Sequence, residues 1–115
     1  MSEPFTYNAL CTRVVDGDTV DVDIDLGFGI AFNNQRIRLL GIDAPETRTR
    51  DDAEKVAGLR VKKWLADRVE GKKVVVKTEV GDSKGKFGRI LGTIIHDGED
   101  LNAYMLAEGM VAIYE

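Results

Sequence analysis

Arg36–Glu46, RIRLLGIDAPE, together with Val14–Val22, VVDGDTVDV, decides how this chain is read. In the first stretch Ile37 and Leu39 alternate with Arg36 and Arg38, and the run ends in Asp43-Ala44-Pro45-Glu46. In the second, and just beyond it, Val20, Val22, Ile24 and Leu26 alternate with Thr19, Asp21, Asp23 and Asp25. A period of two with one dry and one wet face predicts strands. Asp18 shares the parity of the dry face, a costly place for a carboxylate unless it lies at the open end of a barrel or beside a cation. The two stretches bring arginines and carboxylates to strand ends, an arrangement suited to holding a cation beside a phosphate.

Between these strands, Gly27–Asn34 has the glycines and the Asn33-Asn34 pair of a connection. Its apolar members Phe28, Ile30, Ala31 and Phe32 predict an ordered extension packed on the body, though they are equally suited to facing a partner. Asp51–Val69 has helical spacing, with Ala57, Val61, Trp64 and Leu65 on one side, an acidic first turn and Gly71 as its stop. Lys73–Val80 predicts a further strand, Gly81–Gly88 a hairpin loop and Arg89–Ile95 the returning strand, closed by Asp97-Gly98. Leu101–Glu108 predicts a short helix ended by Gly109, and Met110–Tyr114 a last extended piece. The fold class expected is β-rich α+β: an OB-fold five-stranded Greek-key barrel with one long and one short helix, residues 1–115 forming a single domain.

The net charge of −4 is a poor match to nucleic-acid binding driven mainly by counterion release. The charge is unevenly spread, however. Asp16 to Asp25 is acidic, whereas Lys62, Lys63, Lys72, Lys73, Lys77, Lys84, Lys86 and Arg89 load the second half, so one acidic and one basic surface are possible. No apolar run approaches the ~20 residues of a spanning helix, and the first residues carry no leader pattern; a cytoplasmic protein is expected, and no membrane partner. Cys11 is the single cysteine, which excludes an intramolecular disulfide and a thiolate metal cluster, and it reads as a small buried side chain of a first strand. His96, the single histidine, precedes Asp97-Gly98 and reads as a surface residue.

Asp18, Asp43 and Glu46 are hard oxygen donors that suit calcium or magnesium rather than zinc or copper. Pro45 pushes Ala44 toward an extended backbone, leaving the Ala44 carbonyl as a candidate third metal oxygen. Arg38 and Arg89 come from separate strands, and two guanidinium forks converging at one barrel end would match phosphate oxygens. Each motif alone has a plain structural explanation: DGDT is an ordinary hairpin turn, and Arg38 a solvated strand residue. Their succession in one small domain is what points to a site.

VVDGDTV, IRLLGIDAPET, KFGR and LNAYMLAEG, in that order from Val14 to Gly109, resemble the staphylococcal nuclease (thermonuclease) family. The resemblance implies an OB-fold barrel with helices and calcium-dependent hydrolysis of phosphodiester bonds in DNA, RNA or both, cleaving the bond to the 5′ oxygen to leave 3′-phosphates. It further implies one Ca²⁺ held by Asp18, Asp43 and the Ala44 carbonyl; Glu46 positioning or deprotonating the attacking water; and Arg38 and Arg89 on the phosphate. Lys86 is retained beside Phe87, where the family often has a tyrosine that contacts substrate phosphate, and Tyr114 stands where a tyrosine stacks on a base. A single-stranded or frayed substrate suits a small barrel mouth. Standalone versions of this kind also resemble bacterial and phage- or plasmid-encoded cytoplasmic proteins. The rival expectation is a non-catalytic module of the same fold that binds nucleic acid or protein without a metal. An Asp-rich calcium-binding strand is the weaker third, because Asp21, Asp23 and Asp25 lack the glycine turn and terminal glutamate of a dedicated loop.

Overall fold

Strand β1 (Thr6–Asp16) turns at Gly17-Asp18 into β2 (Thr19–Gly27), and the two pair antiparallel from Asn8↔Asp25 to Asp16↔Thr19. The computed structural model describes residues 5–78 and 90–114. β2 pairs in turn with β3 (Ile30–Leu39), whose inward Ile37 and Leu39 are fully buried with Val20 and Val22. After the two-residue β4 (Ile42–Asp43) comes helix α1 (Asp52–Val69), followed by β5 (Lys73–Thr78) and β6 (Ile90–His96). β5 pairs with both β1 and β6, and β6 runs parallel to the end of β3 through Ile37↔Ile90 and Leu39↔Gly92. The last pairing closes a five-stranded mixed barrel, β1–β2–β3–β6–β5, of OB-like form with α1 between its third and fourth strands. β7 (Glu99–Asp100), α2 (Leu101–Ala107) and β8 (Ala112–Ile113) complete the chain, and β8 pairs with β4.

The helix forms where its caps and apolar stripe dictate. Asp51 accepts from the Ala53 and Glu54 N–H groups at 3.0 and 3.2 Å, and Gly71 takes the positive φ of +78° that ends the turn. Gly58, Val61, Leu65 and Val69 form the buried stripe against the barrel. Trp64 is half-buried; its ring stacks on Tyr104 of α2 at 5.3 Å, with Arg68 lying over both. Cys11 is fully buried in β1, and burial pushes its thiol up to about 11, as an inert core side chain requires.

α2 is tied to the barrel through a buried side chain. Asn102 accepts from the Ile94 N–H at 3.2 Å and donates to the Leu40 and Gly92 carbonyls at 3.0 and 3.2 Å. Asn102→Leu takes the side-chain partner from the Ile94 N–H and the Leu40 carbonyl inside the protein, while the Gly92 carbonyl keeps the Leu40 N–H at 2.8 Å, and the expected loss in urea denaturation is about 2–3 kcal/mol. A loss below about 0.5 kcal/mol would mean that water replaces the amide.

Two expectations require correction. Gly27–Asn34 is not a connection packed on the body: Phe28 and Gly29, at φ +57° and +74°, form a two-residue turn, with Gly27 and Ile30 paired across it. β2 and β3 stay paired up to the turn through register shifts at Val22/Ile24 and Asp25/Gly27, and the ribbon leaves Leu26, Phe28, Ile30 and Phe32 exposed. His96 is half-buried at the end of β6 rather than on the surface, with Nδ1 3.8 Å from Asp97. The loop expected at 81–88, Glu79 and Val80 of the third expected strand, and Arg89 lie outside the described residues.

Candidate active site

Every residue of the Asp16-Gly17-Asp18-Thr19 turn is used at one end of the barrel. The Asp18 carboxylate accepts from the Ala44 N–H through Oδ2 at 2.9 Å and from the Thr19 hydroxyl through Oδ1 at 3.0 Å. Asp16 accepts from the Thr47 hydroxyl at 2.7 Å. Gly17 leaves no room for a side chain: a Cβ there would lie 2.5 Å from Val61 of α1 and 3.0 Å from the Ala44 Cβ. Gly58 plays the matching role on the helix, since a Cβ on it would stand 2.6 and 2.7 Å from the Pro45 and Glu46 carbonyl oxygens. The segment 44–47 is thus clamped between the turn and α1, which fixes the backbone that carries Glu46.

Arg36 and Arg38 both point outward from β3, yet their surroundings differ. Arg36 makes a forked pair with Asp21 at 2.8 and 3.2 Å, and that carboxylate raises its pKa further. Arg38 is covered by the β4–β8 pair, leaving its side chain 12% exposed. Its Nη1 donates to the Ile42 and Leu39 carbonyls at 2.8 and 3.1 Å; its Nη2 stands 3.5 Å from Asp18 Oδ2 and 3.4 Å from Asp43 Oδ1. The Tyr114 ring lies 5.1 Å from the guanidinium carbon, held there by the Tyr114 N–H donating to the Gly41 carbonyl.

Of the residues expected at the site, Asp18, Asp43, Arg38 and Tyr114 are therefore together, and Ala44 is joined to Asp18. The Glu46 side chain is exposed and makes no ion pair or hydrogen bond among the described residues. Arg89, Lys86 and Phe87 lie outside the described residues. Asp18 and Asp43 converge on one positive charge and offer only oxygen, which fits a hard cation completed by carbonyls or water. No group of three acidic, histidine or cysteine side chains is gathered as a ready cage among the described residues. Asp16, Thr47 and the two clamp glycines were not singled out as site residues from sequence; the signal available was that DGDT and APET each carry a polar residue beyond the expected ligands.

A closed five-stranded mixed barrel with two helices is an OB-like α+β architecture, and here acidic and guanidinium groups gather at one end of it. The chain belongs to the Staphylococcal nuclease homologue family, whose family model matches residues 36–115. It is 32% identical over 123 residues to an uncharacterized endonuclease of Escherichia coli, covering 96% of this chain and 68% of that protein. It is 30% identical over 101 residues to the SPbeta prophage-derived endonuclease YokF of Bacillus subtilis (strain 168), covering 88% of this chain and 32% of YokF. With the thermonuclease of Staphylococcus intermedius it shares 28% identity over 101 residues, 88% of this chain and 56% of that one. The chain thus spans about a third of YokF and about half of the thermonuclease. Among the described residues no helix is long and apolar enough to cross a membrane.

Proposed function

We propose that this chain is a calcium-dependent nuclease that hydrolyses phosphodiester bonds of single-stranded or frayed DNA or RNA. The observation that carries the proposal is the convergence of Asp18 and Asp43 on one nitrogen of Arg38 beside the clamped backbone of Glu46. Asp18, Asp43 and the Ala44 carbonyl would hold the ion, which when bound supplies positive charge to a phosphate oxygen. Glu46, facing solvent without a partner among the described residues, takes the proton from a water attacking phosphorus in line. The new P–O bond forms as the bond to the 5′ oxygen breaks; that oxygen leaves with a proton from solvent, and the other strand end keeps a 3′-phosphate. The Nη2 edge of Arg38 and the Arg89 guanidinium stabilise the charge that builds on phosphorus. Lys86 and Phe87 contact the substrate, and the exposed Tyr114 face stacks on a base on the side away from Arg38.

The ion site is tested by thermal denaturation with and without calcium. Saturation at 100 times the dissociation constant stabilises the protein by about 2.7 kcal/mol, several degrees in melting temperature. Asp43 is 51% exposed and no backbone N–H among the described residues depends on it, so Asp43→Asn keeps the fold while weakening calcium at least about tenfold. An equal calcium shift in wild type and variant would remove Asp43 from the ion site.

A further inference from the structure

Two concave surfaces of similar size lie on the described part of the chain, with opposite charge. One, of about 470 Å³, runs along β1 and β2 and is lined by Asp23 and Asp25 against a single cation, Lys73. The other, of about 460 Å³, lies in the seam between β1 and α1, where Arg13, Lys62 and Lys63 face one carboxylate, Glu70. Glu70 is already engaged, accepting the Val14 N–H at 2.8 Å. Among the described residues Lys63 pairs with Asp67 alone, at 2.9 Å and exposed, which contributes little in water. Arg13 and Lys62 make no ion pair among the described residues.

The basic seam leads to the candidate active site. Val61, which precedes Lys62 on α1, packs against Gly17 and so lies beside Ala44 and Asp18. Val14 lines the groove and precedes Asp18 by four positions in the chain, a reach of at most about 14 Å. A strand with its phosphate at Asp18 can therefore lay its next phosphates in the seam. The opposite course, over β2, meets Asp23 and Asp25 and is repelled. Among the described residues no aromatic side chain lines the seam, so contacts there are to phosphate and sugar, with exposed Leu59 as apolar floor, and carry no base preference.

We infer that the β1–α1 seam is a second binding site for the nucleic-acid backbone, in which Arg13 and Lys62 hold phosphates flanking the one being cleaved. This rests on the nuclease proposal, and its test separates the two. Arg13→Ala/Lys62→Ala is compared with wild type on a single strand of about 20 nucleotides, long enough to fill both sites, and on a thymidine dinucleotide that fills only one. KM for the long strand rises about tenfold with kcat unchanged, and the dependence of log KM on log salt becomes shallower by about 1.4, the value for two phosphate contacts on a single strand. Cleavage of the dinucleotide stays within about twofold, and Lys73→Ala, in the acidic groove, changes neither substrate. An unchanged KM and salt slope on the long strand would overturn the seam site, as would an equal loss on both substrates. Should wild type cleave neither, the nuclease proposal fails, and salt-dependent binding of the labelled strand decides the seam by the same comparison. Undiminished strand binding by the double variant, with an acidic peptide bound in an Arg13- and Lys62-dependent manner, would assign the seam to a protein partner instead.

Discussion

Glu46→Gln is expected to lower kcat on single-stranded DNA by about 10³-fold while leaving the melting temperature unchanged. Both halves follow from how Glu46 is held. Its side chain is exposed and bonds to nothing among the described residues, so the fold loses no contact when the charge is removed. Its main chain, by contrast, is fixed against Gly58 and through the neighbouring Thr47–Asp16 bond. A carboxylate free at its tip and rigid at its root is what proton abstraction from a positioned water needs. Glutamine keeps the shape and the water's hydrogen-bond acceptor but cannot take the proton. KM is expected to change little, since in the proposed site the arginines and the ion grip the substrate. A variant with wild-type turnover would remove Glu46 from the chemistry and leave the site as a binding surface.

Gly58→Ala carries the second large effect, and its sign separates two accounts of the helix. In an exposed helix interior the substitution would stabilise by about 1 kcal/mol, because alanine is the better helix former. Here the new methyl would stand 2.6 to 2.9 Å from the Pro45 carbonyl oxygen and the Glu46 carbonyl group, distances that no Cβ tolerates, and all three atoms are backbone. They cannot swing aside as a side-chain tip would, so segment 44–47 must move off α1. The expected cost is about 1–3 kcal/mol in denaturant unfolding. kcat falls by about 10²-fold, as a shift of about 1 Å in the base entails. Gain of stability with full activity would show that α1 tilts to absorb the methyl and that the clamp does not position Glu46.

Much of this was legible in the chain. Val20, Val22 and Ile24 alternate cleanly because the barrel has one dry face, and Asp51 with Gly71 marks α1 to within a residue because caps are local chemistry. Asp18 broke the dry-face rule, and it stands at the barrel end beside Arg38. What stayed hidden depends on contacts between distant segments. The Asp16–Thr47 bond spans 31 positions, and Gly58 is a poor helix former whose value appears only when Pro45 and Glu46 are laid upon it. Tyr114 reaches Arg38 through β4 and β8, each of two residues, too short for any period to register. Gly27–Asn34 reads as a connection because its glycines and Asn33-Asn34 mask a paired hairpin, and the apolar run by itself leaves open whether Phe28 packs inward or outward, since burial depends on a body to pack against.

The most direct measurement is incubation of the purified protein with 5′-labelled single-stranded DNA and RNA in calcium, in magnesium and in chelator, with the product ends analysed. The account predicts fragments that carry 3′-phosphates, form in calcium and are absent both in chelator and with Glu46→Gln. Intact strands under every metal condition, with binding undiminished in chelator, would contradict it and leave a barrel that holds nucleic acid without cutting it.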